Sequence, residues 1–238
     1  MDVQSTLELR NLPDRLADQL IIMIARGQLK PRQRIFEKEI CEIQGVSRIP
    51  VREALRLLQA QGVVRTEPNR GTYVTEFTPD EMLEMIELRF AVERLALRRI
   101  IERAVPTSLI TSELSPAIEA MRRAALSGDR LAFCQADLSF HHRIVDLSGS
   151  PVLAPTWQLL SRGVLVFMMH EPDSWLDFRL CIAEHEQLLA LLESHAREAL
   201  DALIEDHILS AVRERHAPGL PLGGLPREPA PACASEPS

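Results

Sequence analysis

The feature that most constrains this chain is a change in the period of its hydrophobic residues. Residues 12–60 carry apolar residues at helical spacing, residues 63–75 read as two short β segments, and everything after Phe77 returns to helix. The two periods are not interchangeable. A helix buries residues three and four apart, whereas a strand buries every second residue. The chain therefore calls for a small mixed unit at its start and a separate, purely helical unit behind it.

Leu16, Leu20, Ile21, Met23 and Ile24 place a first helix between Leu12 and Gln28. A second helix fits Glu37 to Ile43 and is stopped by Gly45, and Ser47 can cap a third. Pro50 falls in the first turn of that helix, where a missing N–H costs little, and Val51, Leu55 and Leu58 form its apolar stripe. Val63–Thr66 and Thr72–Thr75 are the β segments, joined through the turn formers Pro68, Asn69 and Gly71. Three helices followed by a hairpin is the element order of a winged helix-turn-helix. Thr78 and Glu81 then make a capping box that opens a long helix to about Arg103. Further helices fit 107–127, 130–148, 151–170, 175–194 and 196–216, with Pro116 expected to break or kink the first of them. The expected fold class is mainly α. Residues 1–76 form an N-terminal winged helix-turn-helix with a small β-hairpin, and residues 77–216 a C-terminal all-α antiparallel helical bundle. Residues 217–238, rich in Pro, Gly, Ala and Ser, read as a disordered tail.

A net charge of −7 argues at first against a nucleic-acid partner, because such binding is dominated by neutralised phosphates. The distribution reverses that impression. Residues 1–76 hold twelve Lys and Arg against ten Asp and Glu, while residues 77–238 hold fifteen against twenty-four. Within the basic part, Arg48, Arg52 and Arg56 are four apart and form one stripe on the third helix, away from Val51, Leu55 and Leu58. A recognition helix needs this arrangement, since arginine bonds guanine O6 and N7 in the major groove. The same spacing also suits a solvated face on which Glu53 pairs with Arg56. The chain has no long apolar run for a membrane span and no basic-then-apolar leader, and Cys41, Cys134, Cys181 and Cys233 are scattered. The expectation is a cytoplasmic protein with reduced thiols, no disulfide and no membrane partner.

In the helical part, Asp137 and His141 are four apart on one helix, with His185 and His207 on two later ones. Carboxylates and imidazoles converging from several helices build metal sites in bundles, and three nitrogens with one oxygen suit Zn, Ni, Mn or Fe. The same residues also read as a surface Asp–His hydrogen bond and two partly buried histidines.

The surrounding sequence narrows these alternatives. Gly45-Val46-Ser47-Arg48-Ile49-Pro50-Val51-Arg52-Glu53-Ala54-Leu55, with Phe36-Glu37 before it and Gly62 and Asn69-Arg70-Gly71-Thr72-Tyr73-Val74 after it, resembles the winged-helix signature of the GntR regulator family. Glu87-Leu88-Arg89-Phe90-Ala91-Val92-Glu93, Asp137-Leu138-Ser139-Phe140-His141, Ala183-Glu184-His185-Glu186-Gln187-Leu188-Leu189 and Glu205-Asp206-His207 look like the FadR-type ligand domain (FCD) of that family. The resemblance covers residues 12–76 and 78–214. It implies a homodimeric transcription regulator, not an enzyme, on a pseudo-palindromic operator DNA. Arg48 and Arg52 would contact bases, Ser47 and Lys38 would reach phosphates or base edges, and Arg70 and Gly71 would form the wing tip near the minor groove. It further implies that Asp137, His141, His185 and His207 hold a divalent metal ion. A small organic acid would bind beside or on that ion, with Arg89 the candidate for its carboxylate. Long-chain acyl-CoA fits less well, because a polar metal centre competes for the cavity. Effector binding is expected to act on the reading heads through the linker Glu76-Phe77-Thr78. Arg32 stands where the family usually has Gly, Ile49 where it has Thr, and Ser150 where it often has Asn, so the operator sequence does not carry over. The rival of another class is a metal-dependent enzyme fused to a DNA-binding module; a third reading is a purely structural helical domain.

Overall fold

The computed structural model describes residues 11–170 and 176–215. Asn11 caps helix α1 (Leu12–Ala25), its side chain accepting the Asp14 N–H at 3.1 Å, and Pro13 occupies the first turn. Helix α2 (Glu37–Gln44) ends on Gly45 in the left-handed region, and α3 (Arg48–Ala60) buries Val51, Ala54, Leu55 and Leu58. Ser47 occupies the N-cap position of α3, but its side chain makes no capping hydrogen bond.

Strands β2 (Val64–Glu67) and β3 (Gly71–Val74) form the expected antiparallel hairpin, in register from Val64↔Val74 to Glu67↔Gly71. A two-residue strand β1 (Arg34–Ile35) pairs with the other edge of β3, giving the order β1-β3-β2. The expected hairpin is thus present, and β1 adds a third strand that the sequence did not display, since two residues are too few to show a period. Gly71 is required where it stands. Its φ is 110°, and a Cβ there would lie 2.8 Å from Arg34 Nε. Arg32 also sits in the left-handed region, φ 64°, which explains why glycine suits that position. Its guanidinium pairs with Glu76 at the start of the linker.

Among the described residues six helices follow: α4 (Pro79–Glu102), α5 (Thr107–Ser127), α6 (Arg130–Leu147), α7 (Leu153–His170), α8 (Phe178–Glu193) and α9 (Arg197–Arg215). The Thr78–Glu81 capping box is present in both directions. Ser150 caps the start of α7, its hydroxyl accepting from the N–H groups of Val152 and Leu153. The expected break at Pro116 does not occur. Ile110, Leu114, Ala117, Ile118 and Met121 keep one buried face across it, while Pro116 and Ser112 lie on the exposed face, where water can satisfy the carbonyl that loses its donor. Helix α6 is buried nearly all round, which makes it the centre of the bundle. One hydrophobic cluster runs from Leu16 in α1 to Leu209 in α9, so the winged unit packs on the bundle, chiefly α1 against α7.

Cys41, Cys134 and Cys181 are free thiols. Cys233 and the tail expected at 217–238 lie outside the described residues. Among the described residues no helix is long and apolar enough to cross a membrane.

Candidate metal centre and DNA-reading surface

Burial of Val51, Ala54, Leu55 and Leu58 turns the opposite face of α3 outward, so Arg48, Arg52 and Arg56 are all exposed. Arg52 is oriented by a neighbour: its Nε donates to both carboxylate oxygens of Glu37, at 3.0 and 2.9 Å. Lys38 is exposed beside Glu42, 3.7 Å away. Arg70 is exposed at the β2–β3 turn, 3.7 Å from Glu67, next to Gly71 and after Asn69 with its positive φ. Ile49, in the first turn of α3, is 70% exposed.

The bundle brings Asp137 and His141 of α6 together with His185 of α8 and His207 of α9. One ligand atom from each lies within 4.8 Å of all the others. His185 Nε2 is 3.2 Å from Asp137 Oδ1, and His141 Nε2 is 3.2 Å from His207 Nε2; His141 Nε2 is 3.9 Å from Asp137 Oδ2. The outer nitrogen of each ring is already engaged. His141 Nδ1 meets Glu93 at 2.5 Å, His185 Nδ1 meets the Cys181 carbonyl at 2.8 Å, and His207 Nδ1 meets Glu184 at 2.7 Å. Carbonyl and carboxylate oxygens accept, so each Nδ1 carries the proton and each neutral ring aims its Nε2 lone pair inward.

Lone pairs then face lone pairs: imidazole against imidazole, and imidazole against carboxylate. His185 Nε2 and Asp137 Oδ2 are buried without hydrogen-bond partners. Only an added positive charge reconciles this arrangement. A proton fits poorly near neutrality, because burial pushes His141 down to about 4, against the opposing pull of Glu93, and burial lowers His207 as well. A metal ion fits better. Bonds of about 2.0–2.2 Å set neighbouring ligand atoms roughly 2.8–3.6 Å apart, which matches the two 3.2 Å contacts, while the 3.9 Å contact and the 4.8 Å bound on the whole set are wider. Burial alone would raise Asp137, but its close approach to His185 and His141 and the positive charge of Arg89 hold its carboxyl far below the usual range.

Arg89 of α4 is 6% exposed and donates through Nε to Glu93 at 2.8 Å. Its Nη2 lies 3.7 Å from Asp137 Oδ2 and is buried without a hydrogen-bond partner. The structural pair with Glu93 and an uncommitted donor thus coexist in one side chain. His142 faces away, 3.4 Å from Asp146, and His170 is 2.7 Å from the Val166 carbonyl.

Sequence reasoning gave Glu184 and Glu93 no role at the site beyond their place in the resembling runs and missed Trp157. Glu93 follows Arg89 by one turn, so its burial was readable, but its contact with His141 was not. Trp157 on α7 is fully buried, its ring centroid 6.4 Å from that of His141 and 5.8 Å from the Arg89 guanidinium carbon.

A winged helix-turn-helix joined to a helical domain with such a buried cluster defines a DNA-binding regulator that carries a second, non-reading domain. The chain belongs to the GntR family of bacterial regulatory proteins. Residues 12–74 match the family described as "Bacterial regulatory proteins, gntR family", and residues 84–210 match the "FCD domain". The chain is 29% identical over 192 residues to the "Probable D-xylose utilization operon transcriptional repressor" of Paenarthrobacter nicotinovorans, covering 80% of this chain and 83% of that protein. Its fold is similar to that of McbR/YncC of Escherichia coli, with a TM-score of 0.72 at 22% identity, over 87% of this chain and 99% of that one. A GntR transcriptional regulator from Rhodococcus sp. RHA1 gives a TM-score of 0.70 at 22% identity, over 85% and 96% of the two chains. The relatives are transcription regulators, and this chain is a regulator rather than an enzyme.

Proposed function

We propose that this protein is a cytoplasmic homodimeric regulator that binds a pseudo-palindromic operator and changes its DNA affinity when a small organic acid occupies the metal centre. One observation carries the reading. Three Nε2 atoms and the Asp137 carboxylate converge on one point inside the bundle, and the unpartnered Nη2 of Arg89 lies beside them. Asp137, His141, His185 and His207 would hold a divalent ion, Zn, Ni, Mn or Fe by donor set. The ion supplies positive charge that offsets the desolvation of an acid's carboxylate. Arg89 holds the second charge in place, fixed by Glu93 and free to donate through Nη2. The bundle excludes water around both.

On the DNA side, Arg48 and Arg52 address base edges, with Lys38 and Ser47 at phosphates or base edges and Arg70 and Gly71 at the minor groove. Exposure of these side chains on one unit supports the assignment. Residues 1–76 form the reading head, and residues 77–216 bind the metal and effector and pair the two protomers.

The test is elemental analysis of protein purified without tag or chelator, followed on the same sample by thermal shift with small carboxylates. About one divalent ion per chain and a selective acid-induced rise in melting temperature support the reading. Protein that stays metal-free after divalent ions are added, and that no acid stabilises, overturns the sensing part and leaves the DNA-binding part standing.

A further inference from the structure

Helix α7 packs both on the buried cluster and, through α1, on the reading head. On its inner side Trp157 stands against Arg89 and His141, and its indole Nε1–H is buried without a hydrogen-bond partner. A buried donor left unmade costs free energy, about 1–3 kcal/mol in general. The guanidinium of Arg89, its carbon 5.8 Å from the indole ring, carries the equally unpartnered Nη2. Two uncommitted donors beside a set of inward-facing acceptors mark where a ligand with acceptor atoms of its own would sit.

The next turn of α7 grips the reading head. Arg162 donates through Nε and Nη2 to Asp18 Oδ1 on α1, at 3.0 and 2.8 Å, and through Nη1 to Gln61 Oε1 at the end of α3, at 2.9 Å. Gln61 in turn donates through Nε2 to the backbone carbonyl of Gln158 at 3.0 Å. Gln158 and Arg162 are one turn apart and lie roughly 100° and 140° around the helix from Trp157. The grip closes on α1 and on the C-cap of the helix that carries Arg48 and Arg52. Arg162 is half-sheltered, its side chain 15% exposed, so water screens these bonds only partly. At the linker, Arg32 pairs with Glu76, both of them exposed.

We propose that Trp157 donates its indole N–H to the effector, an acid with a second acceptor such as a hydroxy acid, and that α7 passes the resulting displacement to the reading head through the Arg162–Asp18–Gln61 clamp. This rests on the acid-sensing reading above and adds to it a contact residue and a route. Two parts of one rigid helix serve the two sites, so ligand and DNA bias one element.

The chain has two tryptophans, so a Trp175→Phe background leaves Trp157 as the sole tryptophan, excited selectively at the red edge where Tyr73 does not absorb. In full-length, zinc-loaded protein of that background, gluconate, lactate and citrate are titrated by fluorescence and calorimetry. At least one acid shifts Trp157 emission saturably. Trp157→Phe, which keeps the ring but removes the donor, weakens that acid roughly tenfold or more at unchanged zinc content. Arg162→Ala binds the acid as before, but the factor by which the acid alters operator affinity falls toward one. By reciprocity, so does the factor by which operator DNA alters acid affinity. Equal acid affinity in Trp157→Phe overturns the contact, and full coupling in Arg162→Ala overturns the route; either leaves acid sensing intact. Absence of calorimetric binding by any of the acids removes the sensing reading and this inference together.

Discussion

Arg52 shows what a single side chain owes to its setting. Glu37, the first residue of α2, takes its Nε–H and holds the guanidinium beside that helix, and in the proposed function the two terminal nitrogens address a base edge. Arg52→Ala should therefore cost about 1–3 kcal/mol of operator binding, with a smaller loss on non-specific DNA. Titrations against both DNAs measure this, and equal losses would make Arg52 a phosphate contact. At the other site, Glu93 fixes the His141 tautomer, and removal of such outer partners typically weakens metal binding about 10–100-fold. Glu93→Gln should show that loss in competition with a chromophoric chelator; unchanged affinity would take His141 out of the ligand set. The grouping of Asp137, His141, His185 and His207, whose ligand atoms the fold brings within 4.8 Å of one another, came from the resemblance; their spacing alone left a surface Asp–His pair open. Glu93, Glu184 and Trp157 were not legible as their neighbours, because each serves a residue on another helix, and no spacing in the chain records a contact such as Glu93 with His141, 48 residues on.

Helices were the most readable elements, since most keep a buried stripe for four turns or more and most begin with a visible cap. Strand β1 escaped because two residues hold no pattern, and Pro116 misled because local propensity yields when packing on both sides agrees. The Thr78 capping box was read correctly and has a measurable value. It starts α4, which carries Arg89 and Glu93, and Thr78→Ala should destabilise the protein by about 0.5–2 kcal/mol in thermal or denaturant melts. The backbone N–H and the hydroxyl of Thr78 hold the Glu81 carboxyl below its ordinary 4.5. A depressed folded value means the contribution is complete above 4.5 and fades as pH falls through the lower, folded value. The gap between wild type and Thr78→Ala should therefore narrow in acid. A gap that stays constant through that window would show that the Glu81 half of the box contributes nothing.

At the scale of the whole molecule, the sequence displayed two units and their opposite charge balance, but not how they touch. The contact depends on Arg162 meeting Asp18 and Gln61, 144 and 101 residues away, and on one apolar cluster that spans both units. That continuity determines how metal removal should register. The four candidate ligands come from α6, α8 and α9, so an ion bound only by the folded state ties three helices together and stabilises the chain by RT ln(1 + [L]/Kd). This amounts to about 2.7 kcal/mol when free metal is about 100 times Kd. For a chain of this size that corresponds to roughly 5–11 °C in melting temperature. Stripping the ion with a chelator should lower Tm by that order, and readdition should restore it. Because the reading head shares the bundle's core and the α7 clamp, the fall should appear as one shifted transition rather than as early melting of the helical domain alone. Calorimetry with elemental analysis of the same samples checks both points. Verified metal loss with an unmoved Tm would deny the ion any part in holding the helices, and two separated transitions would show that the shared core does not couple the units.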